Sequence, residues 1–401
     1  MKWDAVLMLG LLGLATFGWA QNARAITVDG TRDAEYGEPV SVQAVDTQFG
    51  DANPPLVLGG SELDAAYAAV DGGRLYLLFT GNHEPNFNKL EIFIDSVPGG
   101  ENTLSGTPQY DFNLGDHWNS QDMGGMVVDT GLEIDYHLFS RWGGNDTPGP
   151  YEADFVDRQG GTSPMVPGSA GSTPAPVDLV AAGVIEAGAL GPNASGPALT
   201  QNLEFAINNN NADGVFAGIG AADQQAAAAV TTGMEFSIAL ADLGNPAPGS
   251  MIKIMAVINN SDHHYLSNQF LGPLTPPQGN LGGDGMGGDP KNLSAINLNN
   301  FAGNQFFTVT LPGPSPVPGD YNGNGTVDAA DYVLWRSGGP LQNEVVTIGS
   351  ATPEDYTEWR ARFGNTMGSG GALGTGAVPE PASAGLALVA AIGVWALGRR
   401  N

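Results

Sequence analysis

The chain has 401 residues, 42 of them acidic and 14 basic, for a formal charge of −28, and it contains no cysteine. Such a charge repels nucleic acid and gives anionic lipid no polybasic surface, so neither is expected as a partner. Without cysteine a disulfide scaffold is excluded, and 59 glycines and 28 prolines require much of the chain to be turn and loop.

Residues 1 to 25 carry Lys2, an apolar run over residues 5 to 20, and a small-x-small site at Ala23-Arg24-Ala25. That layout predicts a secretory signal peptide cut after Ala25, so that Ile26 opens the mature chain. The alternative is an uncleaved anchor, for which the apolar run is short.

Residues 26 to 311 read as a β-rich module, of one domain or two. Residues 40 to 45 alternate with the period of a half-buried strand. Residues 63 to 70 and 74 to 80 flank Asp71-Gly72-Gly73, which predicts a hairpin. In residues 89 to 95, Leu90, Ile92 and Ile94 share one strand face and Phe93 takes the other. Further strands are expected over 126–128, 132–139, 203–208, 234–240, 251–259 and 306–311, and a short helix over 223–230 on its alanine content. Residues 160 to 202 and 271 to 292 lack the apolar load of strands and read as long surface loops. The fold expected is mainly β, an antiparallel sandwich.

The start of this module, Val28-Asp29-Gly30 followed by Asp33, then Leu75-Tyr76 and Ile92-Phe93-Ile94-Asp95, resembles the opening of DOMON-like and family-nine carbohydrate-binding sandwiches. The resemblance implies a ligand face. Tyr110, Trp118, Tyr136 and Trp142, near His117 and His137 in a segment rich in Asp, Asn and Gly, could stack on a sugar ring while polar neighbours orient it. The other reading is that these aromatics alternate within a strand and pack. His263-His264 and His83-Glu84 do not suggest a shared ion, because adjacent strand residues face opposite ways. There is no serine elbow, metalloprotease helix or nucleotide loop, and nothing selects a catalytic pair among the 42 acids, so a non-enzymatic protein is expected.

Residues 312 to 319, beginning Pro-Gly-Pro-Ser-Pro-Val-Pro, form a stiff linker. Beyond it, Asp320, Asn322, Asn324, Asp328 and Asp331 fall at positions 1, 3, 5, 9 and 12 of a twelve-residue loop, with Gly325 at the sharp sixth position and the Thr326 carbonyl at the seventh. This all-oxygen set predicts calcium as cofactor. Val327 at position 8 anchors the loop inward, and a helix begins near Asp331. The Asp331-Tyr332-x-x-Trp335-Arg336 sequence recurs as Asp355-Tyr356-x-x-Trp359-Arg360. The pair resembles a dockerin type I module over residues 320 to 366, which implies a small α-helical, EF-hand-like unit and a scaffold partner. In the second copy Glu344, Val346 and Ile348 stand at positions 1, 3 and 5, so it keeps its helix and is expected to have lost its ion. Tyr332, Trp335, Tyr356 and Trp359 are expected along the seam between two antiparallel helices.

A Gly-rich linker over 367–377 leads to Pro379-Glu380-Pro381, an apolar stretch over 384–397 and the terminal Arg399-Arg400-Asn401. The triplet, single hydrophobic helix and basic end, spanning 378–401, resemble PEP-CTERM sorting tails. That resemblance implies an exosortase-type processing enzyme as partner, membrane attachment only through the tail before processing, and a destination at the envelope surface or outside the cell. The leading expectation is an exported surface or matrix protein that binds calcium and a ligand. The alternatives are a polysaccharide-binding component of a degradation system docked through the dockerin-like pair, and a hydrolase with acids not yet identified.

Overall fold

The computed structural model describes residues 25–50, 60–106, 120–143, 150–158, 166–170, 180–188, 198–283, 292–313 and 316–366. The signal segment before Ala25, Tyr110, Trp118 and the whole sorting tail with Pro379, Glu380 and Pro381 lie outside the described residues. The chain divides into two compact units between Leu311 and Pro312.

The first unit is mainly β and has two antiparallel sheets. Its strands are β1 (Ser41–Val42), β2 (Glu62–Asp71), β3 (Arg74–Asn82), β4 (Lys89–Asp95), β5 (Tyr136–Trp142), β6 (Tyr151–Asp157), β7 (Val166–Ala170), β8 (Val180–Ile185), β9 (Leu203–Asn208), β10 (Gly233–Ala239), β11 (Met251–Asn259), β12 (Leu266–Leu271) and β13 (Phe307–Thr310). One sheet runs β1-β2-β3-β10-β9-β8. The other runs β12-β11-β4-β5-β6-β7, with β13 pairing the first half of β11 and β12 the second. Alternation dictates the layers. Leu75, Leu77 and Phe79 of β3 and Leu90, Ile92 and Ile94 of β4 belong to one buried core fed by both sheets. Phe93 of β4 sits in a second cluster with Phe139, Val156, Met255 and Val257, covered by Leu104, Met126, Val128, Leu132 and Leu298 from the connections. The second sheet is therefore buried on both faces, which is why all seven residues of β4 are buried, including Lys89, Glu91 and Asp95.

Several expectations are corrected here. Residues 160 to 202 are not one loop: β7 pairs with β6 at the edge of one sheet, and β8 pairs with β9 at the edge of the other. The β8 sequence is Val-Ala-Ala-Gly-Val-Ile, where only Ala181 and Ile185 are buried, and an edge strand with so small an apolar face carries little periodic signal. Residues 126 to 128 are not a strand but a strip of cover, held by single bridges from Val127 to Thr103 and Asn297. Strand β5 starts at Tyr136, later than expected, because Leu132 and Ile134 belong to the same cover. Of residues 40 to 45, only Ser41 and Val42 pair as a strand. The short helix α1 (Gln224–Ala229) forms as expected, capped by Asp223, whose carboxylate accepts the N–H groups of Gln225 and Ala226 at 3.0 and 3.1 Å.

The Val28-Asp29-Gly30 turn closes the outer face of the first sheet. Glu235 of β10 is fully buried there and accepts the backbone N–H of Asp29 at 2.9 Å, that of Gly30 at 2.8 Å and the Tyr36 hydroxyl at 2.7 Å. Gly30 has φ +78°, and a Cβ on it would meet the Asn208 backbone nitrogen at 2.4 Å, so no other residue fits this approach. Burial pushes the Glu235 carboxyl up to about 7 even though all three donors pull it down, and the charge of Asp29 adds to the rise. A carboxyl raised on folding binds more protons in the folded than in the unfolded chain between its ordinary value near 4.5 and about 7. Its contribution to stability is thus present below pH 4.5 and is lost as pH rises through 7. Glu235→Gln can keep the Tyr36 contact without a charge, and it is expected to remove a decline on the order of 2 kcal/mol across that window. Chemical denaturation of wild type and variant at pH 4.5 and 8 measures it; parallel pH profiles would show that Glu235 does not titrate there.

Candidate functional site

In the second unit the loop spacing is matched by a specific hydrogen-bond frame. Asp320 is 2% exposed, and its carboxylate accepts the N–H of Asn324 at 3.1 Å and of Gly325 at 2.7 Å. Gly325 has φ +86°, the left-handed conformation that a sharp sixth position demands. Asn322 accepts from the N–H of Asn324, and Asn324 from that of Thr326, both at 2.9 Å. Asp331 is fully buried and accepts the N–H of Asn322 at 2.9 Å and of Asp328 at 2.7 Å. Asp328 in turn caps helix α2 (Ala329–Ser337), accepting the N–H of Ala330, so that Asp328 and Asp331 form a capping box. The Thr326 and Val327 backbones are held by a bridge from Thr326 to Thr366 and by hydrogen bonds linking Val327 to Asn365 and Gly364. Val327 is fully buried, as its position-8 anchor role requires.

The donors are all hard oxygens, and a carboxylate offers roughly four acceptor sites, so the frame bonds leave capacity on Asp320 and Asp331 for a cation. Among the described residues no group of three or more His, Cys, Asp or Glu stands together as a ready ion cage. An ion held here would have to draw Asp320, Asp328 and Asp331 closer and take the rest of its shell from Asn322, Asn324 and the Thr326 carbonyl.

The second copy keeps the frame and not the ligand set. Glu344 accepts the N–H of Gly349 at 2.6 Å as Asp320 accepts that of Gly325, and Gly349 is also left-handed, with φ +90°. Asp355 accepts the N–H of Thr352 at 2.8 Å as Asp331 does that of Asp328, and Thr352 with Asp355 boxes the start of helix α3 (Pro353–Arg362). Val346 and Ile348, at positions 3 and 5, are instead 53% and 83% exposed.

The two helices meet through their repeated aromatics. Tyr332 lies 5.2 Å from Trp359 and Trp335 lies 4.9 Å from Tyr356, ring centre to ring centre. The bonds cross symmetrically: the Trp335 indole donates to the Thr352 carbonyl at the start of α3, and the Trp359 indole to the Asp328 carbonyl at the start of α2. Each helix therefore fixes the other's N-terminal cap.

In the first unit the two described members of the aromatic set do not form a ligand face. Trp142 is 1% and Tyr136 6% exposed, both in the core between the sheets, with Tyr136 stacked on Phe155 at 5.6 Å. Aromatic rings spent on core packing cannot stack on a sugar in solvent, and this corrects the expectation for these two residues.

A cluster not picked out from sequence lies on the outer face of the second sheet. Glu91 of β4, His137 of β5 and His263 are all fully buried. The Glu91 carboxylate meets His137 Nε2 at 2.7 Å and His263 Nδ1 at 2.6 Å, and accepts from the Asn259 amide at 3.0 Å. Phe93 stacks on His137 at 4.3 Å and Phe139 meets His263 edge-on at 5.1 Å. Burial alone would raise the Glu91 carboxyl; the charge interaction with His263 and the hydrogen bonds from both histidines outweigh it and hold the group well below the carboxylate range. Burial pushes His137 down to about 4. His264 faces the other way, toward Asp122 at 3.5 Å and Asp262 at 3.8 Å. The one available signal was Glu91 itself, an acid in the middle of a strand whose other charges, Lys89 and Asp95, stand at its two ends, and on the same face as Phe93. Closed to solvent, the cluster is a structural tie between β4, β5 and the β11–β12 turn.

Comparison of the chain with protein-family models, with curated protein sequences and with solved structures finds no match.

Two outcomes follow from this geometry. Glu91→Ala strips three buried donors of their acceptor and is expected to cost about 3–5 kcal/mol in denaturant unfolding. A loss under about 1 kcal/mol would mean the cluster carries no tie. Trp335→Phe and Trp359→Phe each remove one cap-fixing bond and should cost about 1 kcal/mol apiece. Because each bond fixes the other helix's cap, the double variant should lose no more than the second unit's whole stability, read by helical circular dichroism.

Proposed function

We propose that this is an exported, non-enzymatic protein of the cell surface or extracellular matrix, whose second unit is an EF-hand-like, dockerin-type module binding one calcium ion in the loop of residues 320–331. The observation that carries the reading is the buried Asp320 carboxylate, gripped by the Asn324 and Gly325 N–H groups at the sharp turn, with buried Asp331 at the twelfth position. Asp320, Asn322, Asn324, Thr326, Asp328 and Asp331 hold the ion in this reading, and the second loop, with Val346 and Ile348 in ligand positions, holds the partner helix in place. The secretory segment ending at Ala25 and the Pro379-Glu380-Pro381 tail support export and processing by an exosortase-type enzyme. Calcium outside a cell sits near the roughly 10⁻⁴ to 10⁻³ M affinities of extracellular calcium modules, so ion binding and folding are coupled at the destination.

The test is a pair of thermal melts of the mature chain with calcium and with chelator, followed by helical circular dichroism. Calcium is expected to raise the transition of the helical unit, and Asp320→Ala to abolish that rise. An unchanged helical transition with and without calcium would overturn the loop as an ion site.

A further inference from the structure

Lys89 opens β4 beside the Glu91 cluster, and Lys89, Glu91 and Asn259 are all fully buried. Lys89 and Asn259 stand directly opposite each other in the β4–β11 ladder, so their side chains leave the same face of the sheet. Facing Cβ atoms in such a pair are about 4.5–5.5 Å apart, a gap that a lysine side chain can span. Glu91 follows two residues along β4 on that face, and Phe139 is its partner on β5. The Lys89 ammonium lies over the Phe139 ring, 5.8 Å from its centre. The lysine therefore runs along the strand toward Glu91, the direction in which the Asn259 amide also leans to reach that carboxylate.

The Asn259 carboxamide is fixed at both ends. Its Oδ1 accepts the N–H of Asn260 at 2.9 Å and of Tyr265 at 3.0 Å, while its Nδ2 donates to Glu91 Oε1 at 3.0 Å. Two backbone N–H groups on one carbonyl oxygen are an oxyanion hole for the charge that develops when a nucleophile adds to the carbon behind it. A carboxylate on the amide nitrogen can carry the proton that turns this nitrogen into a leaving group. His137 Nε2 and His263 Nδ1 clamp the two Glu91 oxygens at 2.7 and 2.6 Å and keep the carboxylate from turning away. An amide in place of a buried ammonium also removes a charge that the interior of a protein solvates poorly.

We propose that Lys89 and Asn259 join in an intramolecular isopeptide bond, with Glu91 as the proton carrier. Glu91 takes a proton from the Lys89 ammonium, and the resulting amine adds to Asn259 Cγ while the charge on Oδ1 rests on the Asn260 and Tyr265 N–H groups. Glu91 passes that proton to Nδ2 and takes a second one from Nζ. The Nζ–Cγ bond is then complete, the Cγ–Nδ2 bond breaks, and ammonia departs, leaving as ammonium with the second proton. No oxidant or reductant is consumed. The bond ties β4 to β11, neighbours in the second sheet, in a chain with no cysteine to form a disulfide. It is independent of the calcium loop in the second unit.

The experiment is intact-mass spectrometry of the folded full chain, followed by protease digestion under denaturing conditions. The chain is expected to weigh less than its sequence by one ammonia, and the peptide holding Lys89 to be recovered joined to the peptide holding Asn259. Lys89→Met should restore the full mass and release the two peptides separately. Glu91→Gln keeps the shape of the side chain without a carboxylate to carry the proton, and should slow joining after refolding by about a hundredfold or more. Because that change can also disturb folding, Asn259→Asp serves as the second arm. It should give the same joined peptide with loss of water in place of ammonia, which separates the cross-link from ammonia lost by asparagine cyclisation elsewhere. A folded wild-type chain that releases the two peptides separately would overturn the bond, and undiminished joining in Glu91→Gln would overturn the part given to Glu91.

Discussion

The constraint on which this structure depends is how to bury acids with few bases. With 14 basic residues for 42 acids, one-to-one pairing can serve at most one acid in three. A few buried pairs do form, such as Arg141 with Asp154 at 2.5 Å and Arg158 with Glu101 at 2.5 Å. A second device is a carboxylate accepting two backbone N–H groups. Asp135 takes those of Ser96 and Val97, Glu235 those of Asp29 and Gly30, Asp320 those of Asn324 and Gly325, and Asp331 those of Asn322 and Asp328. Each such bond replaces water at the acid and also satisfies a main-chain donor that a turn would otherwise leave unmatched.

That device has a structural consequence beyond solvation. A carboxylate that gathers N–H groups from a turn fixes the turn's shape, and in every case above the donors come from a connection rather than from a strand interior. Glycine then supplies the conformations these wraps need. Gly30 approaches so closely that a side chain would collide, and Gly325 takes the left-handed position inside the loop. The abundance of glycine and the excess of acid are two sides of one building method, in which acids organise connections and alternating strands supply the cores.

How much of this was legible follows from range. Strands β2, β3, β4, β10 and β11 were readable because alternating or continuous apolar residues bury at least one face, a signal carried by neighbours in sequence. Strands β7 and β8 were not, because their pairing to β6 and β9 stabilises segments whose own residues are small. In the second unit the sharp turn at Gly325 and the helix start near Asp331 were legible because the residues that frame them sit within twelve positions. The cluster at Glu91 was not, because His137 and His263 arrive from 46 and 172 residues away. Tyr136 and Trp142 were legible as strand aromatics, but which face of the sheet they point to is decided by register, and register put them between the sheets.

The second unit solves a pairing problem that its repeat leaves open. In a symmetric pair of such loops, the eighth positions would be natural partners, here Val327 and Ala351. Val327 pairs instead with residues 364 and 365, which follow α3, and Thr326 bridges to Thr366. The chain leaving the second helix thus takes the place of the second loop. This frees the second loop from holding the first, which lets Val346 and Ile348 stand where oxygens stand in the first copy without disturbing the frame around Asp320. What the second copy still contributes is carried by its helix: Trp359 pins the cap of α2 through the Asp328 carbonyl, and the Tyr321 hydroxyl donates to the Asp355 carbonyl at 2.5 Å. The absence of oxygens from two positions of one copy and the retention of its caps and aromatics are compatible because they rest on different residues, the first on the loop's third and fifth positions and the second on the helix that follows.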